Sequence, residues 1–391
     1  MNLNNMTKAG VIGAGTMGTG IAQIASTNGH SVTLYDVSPD QLKRSKESLE
    51  KILNRQIEKG RMSPKEVKDI LQRIHFTNNL SDCADCEFVI EAIVEDLSTK
   101  KELFRNLESI VSESSILASN TSSLSIASIS SVLKFPERFL GVHFFNPAPL
   151  MKLVEIIPGI STSDKATEIT KNFIRNWQKV TVTAKDTPGF IVNRVARPFY
   201  GEALRIYEEG IADAATIDWA MKELGGFRMG PFELMDLIGH DVNYKVTESV
   251  FKEFYYDPRF KPSFTQKRMV EAGRLGKKTG LGFYDYRNGS KNPEPNNDNV
   301  LGEKIFSRIL SMLINEAADA VFMNIASVKD VDLAMVNGVN YPKGLLAWGD
   351  EIGLSHVLDS MSALQVEYRE DRYRPNPLLK QKVRNGKNFH D

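Results

Sequence analysis

The chain has 391 residues, roughly two to three times the usual single-domain size, so two or three domains with sizeable cores are expected. Its 49 Lys plus Arg balance 49 Asp plus Glu, which excludes a global field that would draw the protein onto nucleic acid or an anionic membrane; any basic site must be local. The opening stretch MNLNNMTKAGVIGAG passes from polar residues straight into an apolar strand without a signal-peptide core, and no later apolar run approaches bilayer length. That is the pattern of a cytoplasmic protein.

From residue 8 to about 185 the sequence alternates β-branched apolar runs with helical patterns, the signature of a parallel sheet with crossover helices. Strands are expected at Ala9–Ile12, Ser31–Tyr35, Ile74–Asn78, Phe88–Ile93, Ser115–Ala118, Phe139–Phe144, Lys152–Ile157 and Lys179–Thr183, with helices such as Met17–Asn28 and Thr99–Val111 between them. Gln41–Gln72, polar and helix-favouring, breaks at Gly60 and restarts at Ser63-Pro64, so it reads as an inserted helical hairpin. Cys83 and Cys86 precede a strand instead of opening a helix after one, and no second pair completes a zinc set. Neither a redox role nor a metal site is expected there.

After Thr187-Pro188-Gly189 the strand signals stop and amphipathic helices take over, as in Ile191–Glu209 and Thr216–Glu223. At a fixed offset of 114 residues, segment 191–239 matches 305–353 without a gap, with thirteen identities in 49 positions. Average residue usage would give roughly three. The identities include Glu202 with Glu316, Asp218 with Asp332, Met221 with Met335, Gly230 with Gly344, Asp236 with Asp350 and Gly239 with Gly353. The linker Arg287–Asn299 is rich in Asn, Pro and Gly. The expected architecture is a Rossmann-type doubly wound α/β domain over 1–186, carrying the hairpin at 41–72, then two tandem all-α domains over 187–290 and 300–391.

Three constellations carry chemistry. Gly13-Ala-Gly15-Thr16-Met17-Gly18 lies between the first strand and a helix, and Asp36 closes the next strand. The glycines allow a tight turn, close approach of backbone to pyrophosphate and packing of helix on strand, while the helix N-terminus favours phosphate. Asp36 should accept from the adenosine ribose hydroxyls and repel a 2′-phosphate, so NAD is preferred over NADP. Second, an apolar strand delivers His143 to a turn at Asn146-Pro147, and the following strand carries Glu155 back. Removing a hydride from a secondary alcohol needs a base for the hydroxyl proton, which histidine supplies when a carboxylate fixes its tautomer. Taken alone, a histidine at a strand end is more often a satisfied structural residue. Third, Ser119-Asn120-Thr121-Ser122-Ser123 follows another strand end, where open α/β sheets place ligands and where hydroxyls also cap helices.

Together these segments resemble the 3-hydroxyacyl-CoA dehydrogenase family from residue 8 to the C-terminus. The specific parts are Ser-Asn-Thr-Ser-Ser-Leu at 119–124, His-Phe-Phe-Asn-Pro at 143–147, Lys-Leu-Val-Glu at 152–155 and Lys-Asp-Thr-Pro-Gly-Phe-Ile-Val-Asn-Arg at 185–194. The resemblance implies NAD-dependent oxidation of (S)-3-hydroxyacyl-CoA to 3-oxoacyl-CoA, with His143 as general base oriented by Glu155. It further implies that Ser122 and Asn193 hydrogen-bond the substrate, that Asn146 lies close by, and that Glu95, Lys100 and Asn120 contact the cofactor. It gives the hairpin a role as well: Lys51, Arg55 and Lys59, with Lys43, Arg44, Lys46 and Arg61, would meet the coenzyme A nucleotide. A dehydrogenase of free hydroxy acids, such as the gulonate enzymes, is the nearest rival, and a non-catalytic dinucleotide sensor is the rival from another class. The duplication resembles longer family members, so the second helical copy, with Ser307 at the position of Asn193, is expected to be catalytically silent. That copy would cover the dimer surface within one chain, giving a monomer with an internal pseudo-dimer or a homodimer.

Overall fold

The computed structural model describes residues 6–391; the five residues that open the N-terminal stretch lie outside the described part. The chain separates into two compact units, divided between Phe190 and Ile191.

The first unit is built on one eight-stranded sheet in the order β3-β2-β1-β4-β5-β6-β7-β8. Its strands are β1 (Lys8–Ile12), β2 (Ser31–Tyr35), β3 (Ile74–Thr77), β4 (Phe88–Glu91), β5 (Ile116–Ser119), β6 (Phe139–Phe144), β7 (Leu153–Pro158) and β8 (Val180–Thr183). Every neighbouring pair is parallel except β6 with β7, which is antiparallel. Strands β4, β5 and β6 are buried at every position. That explains their continuous apolar runs, since helices cover both faces of such a sheet. Strand β4 stops two residues earlier than its apolar run predicts because the Glu91 carboxylate accepts the Ile93 N–H at 2.7 Å and turns the backbone out of the ladder.

The helices of this unit are α1 (Thr16–Thr27), α2 (Pro39–Glu58), α3 (Pro64–Gln72), α4 (Leu97–Ile110), α5 (Ile126–Ser130) and α6 (Asp164–Asn176). The hairpin formed by α2 and α3 follows from local chemistry. Ser38 caps α2 by accepting the Gln41 N–H, Gly60 takes a φ of 64° at the break, and Ser63 and Glu66 form a reciprocal capping box before Pro64 opens α3. Leu42, Leu49 and Leu53 turn one face of α2 into the core. Each such burial stabilises by about 1.5–3 kcal/mol.

The second unit is helical: α7 (Val192–Val195), α8 (Arg197–Glu208), α9 (Ala214–Trp219), α10 (Pro231–Ile238), α11 (His240–Glu253), α12 (Phe264–Glu271), α13 (Asn299–Phe322), α14 (Val328–Gly338), α15 (Leu345–Ile352), α16 (Leu354–Tyr368) and α17 (Pro377–Arg384). The single helix expected over Ile191–Glu209 is interrupted at Ala196, two residues before Pro198, whose ring removes an N–H and crowds the preceding turn. The helix expected over Thr216–Glu223 begins earlier, as α9, and widens into one π-type turn at Ala220–Leu224.

The sequence identities at the 114-residue offset occupy matching hydrogen-bond positions. Asp218 accepts the N–H groups of Phe232 and Glu233, and Asp332 those of Leu346 and Ala347. Asp236 accepts from Phe283 and Tyr284, and Asp350 from Phe389 and His390. Gly239 and Gly353 both have positive φ, 98° and 90°. A Cβ on Gly230 would fall 2.3 Å from Asp218, and one on Gly344 2.4 Å from Asp332. Two ion pairs are reciprocal: Arg194 Nε meets Glu316 at 2.6 Å, and Arg308 Nε, 114 residues on from Arg194, meets Glu202 at 2.7 Å. Reciprocity of this kind is the mark of an isologous contact.

Glu202 is fully buried, and Arg308 also holds Glu209 and the hydroxyl of Tyr373. Removing one partner of a buried pair costs about 3–5 kcal/mol. Arg205 and Tyr373 stay beside Glu202, so Arg308→Met should cost about 3 kcal/mol, near the low end of that range. Urea unfolding of the helical unit checks this, and an unchanged midpoint would show the pair to be dispensable.

Candidate active site

Most candidate residues of the first unit gather at the ends of β1, β2, β4, β5 and β6 and in the turns that follow them, with Glu155 on β7, Lys100 on α4 and the cations Lys51, Arg55 and Lys59 on the hairpin. At the end of β1, Gly13 has φ 102°, and a Cβ there would approach the Ala92 carbonyl oxygen to 2.7 Å; a Cβ on Gly18 would meet the Gly13 oxygen at 1.7 Å. These two glycines are therefore fixed by packing. A Cβ on Gly15 would touch nothing within 4 Å, so that glycine leaves open space at the N-terminus of α1, where no side chain caps the helix. Unsatisfied N–H groups facing open space suit a pyrophosphate. Thr16 is exposed and Met17 half-buried on the first turn.

Asp36 accepts the Ala14 N–H at 2.8 Å with one oxygen and the Ser38 N–H at 2.9 Å with the other, tying the glycine loop to the end of β2. Each carboxylate oxygen has a second acceptor site, so capacity for ribose hydroxyls remains. Val37 and Val94, beyond the ends of β2 and β4, are 77% and 68% exposed, apolar surface of the kind a purine ring covers. The residues present fit a dinucleotide.

At the ends of β4 and β5 lies a buried charge cluster. Glu91, fully buried, pairs with Lys100 of α4 at 2.5 Å and accepts the Ser119 hydroxyl at 2.6 Å. Lys100 also reaches Glu95 at 3.1 Å. Glu95 in turn accepts the Thr121 hydroxyl, the Ser122 N–H and the Ser123 hydroxyl, so the 121–123 turn is hung on one carboxylate. Burial works to raise the Glu95 pKa, but Lys100 and the two hydroxyls outweigh it and hold the carboxyl below its ordinary value. Asn120 accepts the Phe144 N–H at 2.8 Å through its side-chain oxygen, fastening this turn to the end of β6.

The antiparallel register of β6 and β7 sets His143 opposite Glu155. His143 Nδ1 lies 2.7 Å from Glu155 Oε2; the carboxylate is fully buried and the ring 6% exposed, packed against Phe145 and Phe190. Asn146 is exposed on the turn that leaves β6, and Asn193 sits half-buried on α7 of the second unit.

Beside the glycine loop a cleft of about 860 Å³ runs between α1, α2 and the turn after β6. Its charged lining residues are Arg44 and Arg61 from the hairpin and Lys152 and Lys179 from the sheet edge; no carboxylate lines it among the described residues. Of the hairpin cations singled out from the sequence, Arg44 and Arg61 line this cleft and Lys51, Arg55 and Lys59 do not. The residues that α2 turns to the cleft include Gln41, Arg44, Ser48, Ile52 and Gln56, at three- and four-residue spacing. Glu91 and Lys179 were missed: one is an acid closing an apolar strand, the other a single lysine ahead of a strand.

A family model described as 3-hydroxyacyl-CoA dehydrogenase, NAD binding domain, matches residues 8–187, and the model of that family's C-terminal domain matches twice, at 189–286 and 305–389. A 3-hydroxyadipyl-CoA dehydrogenase of Escherichia coli strain K12 is 37% identical over 97% of this chain and 98% of its own. A probable 3-hydroxybutyryl-CoA dehydrogenase of Deinococcus radiodurans is 43% identical over 71% of this chain and all of its own length. The crystal structure of a 3-hydroxybutyryl-CoA dehydrogenase from Escherichia coli K12 superposes with a TM-score of 0.93 at 36% identity, covering 97% of this chain and 99% of that one.

The buried cluster yields a stability test. Lys100→Met leaves Glu91 an unpaired buried carboxylate and should destabilise the first unit by about 3–5 kcal/mol. Adding Glu91→Gln, which removes that charge, should restore part of the loss. A double variant no more stable than the single one, by chemical denaturation, would show that Lys100 does not compensate Glu91.

Proposed function

This chain belongs to the 3-hydroxyacyl-CoA dehydrogenase family, whose members are NAD-dependent oxidoreductases, and on that premise we propose that His143 is the general base and Glu155 the carboxylate that orients it. The observation that carries this reading is the 2.7 Å contact between His143 Nδ1 and a carboxylate with no solvent exposure. A buried Glu155 accepting the Nδ1 proton fixes the tautomer and leaves Nε2 to take the hydroxyl proton of the substrate. As the ring becomes an imidazolium, the adjacent carboxylate stabilises it without reorganisation of water. NAD supplies the acceptor for the hydride when bound. The glycine loop would hold its pyrophosphate, Asp36 its ribose, and the turn organised by Glu95, Lys100 and Asn120 the region next to His143.

Ser122 and Asn193 are assigned to the substrate oxygens, which they would hold in line for hydride removal. The names of the relatives, 3-hydroxyadipyl-CoA and 3-hydroxybutyryl-CoA dehydrogenase, favour short 3-hydroxyacyl thioesters. The cationic cleft is the place proposed for the phosphates of coenzyme A, with Arg44, Arg61 and Lys152 as their partners and exposed Leu150 and half-exposed Ile52 beside the rest of the molecule. The recurring hydrogen bonds and reciprocal arginine–glutamate pairs of the second unit support two tandem copies that bury one another's surface, so the chain would need no partner through that surface. The two free cysteines suit a reducing compartment such as the cytoplasm, and no helix among the described residues is long and apolar enough to cross a membrane.

His143→Gln and Glu155→Gln test the reading. His143→Gln should lower kcat by roughly two to four orders of magnitude, the range for loss of a general base, while the Kd for NAD stays within about twofold. Near-normal turnover in steady-state assays with 3-hydroxybutyryl-CoA would remove His143 from the mechanism.

A further inference from the structure

One cation in the cleft wall is set apart from the others by its surroundings. Lys179 immediately precedes β8, its side chain is buried, and its Nζ donates to the carbonyl oxygens of Ala148 and Met151, each at 2.7 Å, with that of Pro149 at 3.5 Å. Burial, with no carboxylate offsetting it, pushes the amine down to about 8. The three carbonyls belong to the turn that links the strand of His143 to the strand of Glu155. An ammonium held by peptide oxygens gathers that turn into one shape, and it also places a positive charge in the wall facing the hairpin arginines.

We propose that Lys179 is a positioning residue for the nucleotide end of the coenzyme A thioester, fixing the 148–151 turn where it lines the cleft and adding to the field that draws the phosphates in. The proposal rests on the placement of that nucleotide in the cleft. The other charged groups lining the cleft are Arg44 and Arg61 of the hairpin and Lys152 on the same wall as Lys179, all cations, and His30 packs on the neighbouring Trp177. In the free enzyme burial favours loss of the Lys179 proton; a bound polyanion favours its retention. Because the amine of the free enzyme titrates near 8, the charge is present below that pH and lost above it. Affinity for the phosphorylated thioester should therefore weaken as the pH rises past about 8, and that for NAD should not.

The experiment compares 3-hydroxybutyryl-CoA with 3-hydroxybutyryl-pantetheine, which lacks the nucleotide, as substrates of the full chain from about pH 7 to about 9.5. At neutral pH, Lys179→Met should raise KM for the CoA thioester on the order of tenfold, with kcat held within about twofold and the pantetheine constants unchanged. In the wild-type enzyme KM for the CoA thioester should climb above pH 8. Lys179→Arg, which stays charged over this range, should keep KM low and abolish the climb. An equal rise in KM for both thioesters would show that Lys179 does not act on the nucleotide end, and would overturn the proposal, as would a wild-type KM that is flat with pH. A wild-type preference for the CoA thioester that survives Lys179→Met would remove Lys179 alone; a wild-type enzyme indifferent to loss of the nucleotide would remove the placement in the cleft as well.

Discussion

A carboxylate cannot be left alone in the interior of a sheet, and the arrangement around Glu155 follows from that constraint. The side chain has no solvent exposure, so its charge must be met by a partner inside the protein. The partner is His143, directly opposite it in the one antiparallel register of the sheet. Had β7 been parallel to β6, a long crossover would have separated the two residues. The antiparallel return lets a short turn connect them, and that turn, stitched by Lys179, forms one wall of the cationic cleft. The proposed catalytic pair, the cationic cleft and the sheet topology thus share one structural cause.

Glu91 repeats the same logic three strands away in the same sheet. Buried at the end of β4, it is matched by Lys100, which carries Glu95 on its other side, and Glu95 orders the 121–123 turn. Buried Glu91 and partly exposed Glu95, with the side-chain oxygen of Asn120 accepting the Phe144 N–H, hold the strand ends against one another. Electrostatic preorganisation of a site of this type requires that its supports be rigid before substrate arrives.

Much of this was legible in the residues. All eight strands lie within two residues of where their apolar runs place them, since a sheet covered on both faces demands continuous apolar segments. The hairpin broke at Gly60 and restarted at Ser63-Pro64 because cap and breaker chemistry is local. His143 and Glu155 were pairable from the strand–turn–strand pattern alone. What escaped the sequence was tertiary in origin. The end of β4 depended on where the Glu91 carboxylate went, the kink at Ala196 on how one proline is accommodated, and the identity of the cleft-lining cations on how the whole hairpin packs. Lys51, Arg55 and Lys59 share a charge pattern with Arg44 and Arg61, and only the tertiary packing of the hairpin decides which of them line the cleft. In the helical unit the repeat was visible because its identities sit where geometry leaves little choice: aspartates that accept paired N–H groups, and glycines that an added Cβ would drive into them.

The account stands or falls on the protonation of one ring. The direct measurement is nitrogen-15 NMR of the ring-labelled histidines, with His143 assigned by substitution, in the resting enzyme and in Glu155→Gln. We predict a neutral His143 protonated on Nδ1, with that proton far downfield from its bond to the buried carboxylate, and loss of the downfield signal in the variant. A resting His143 that carries its proton on Nε2 would have no lone pair to offer the substrate hydroxyl, and would contradict the assignment of the base.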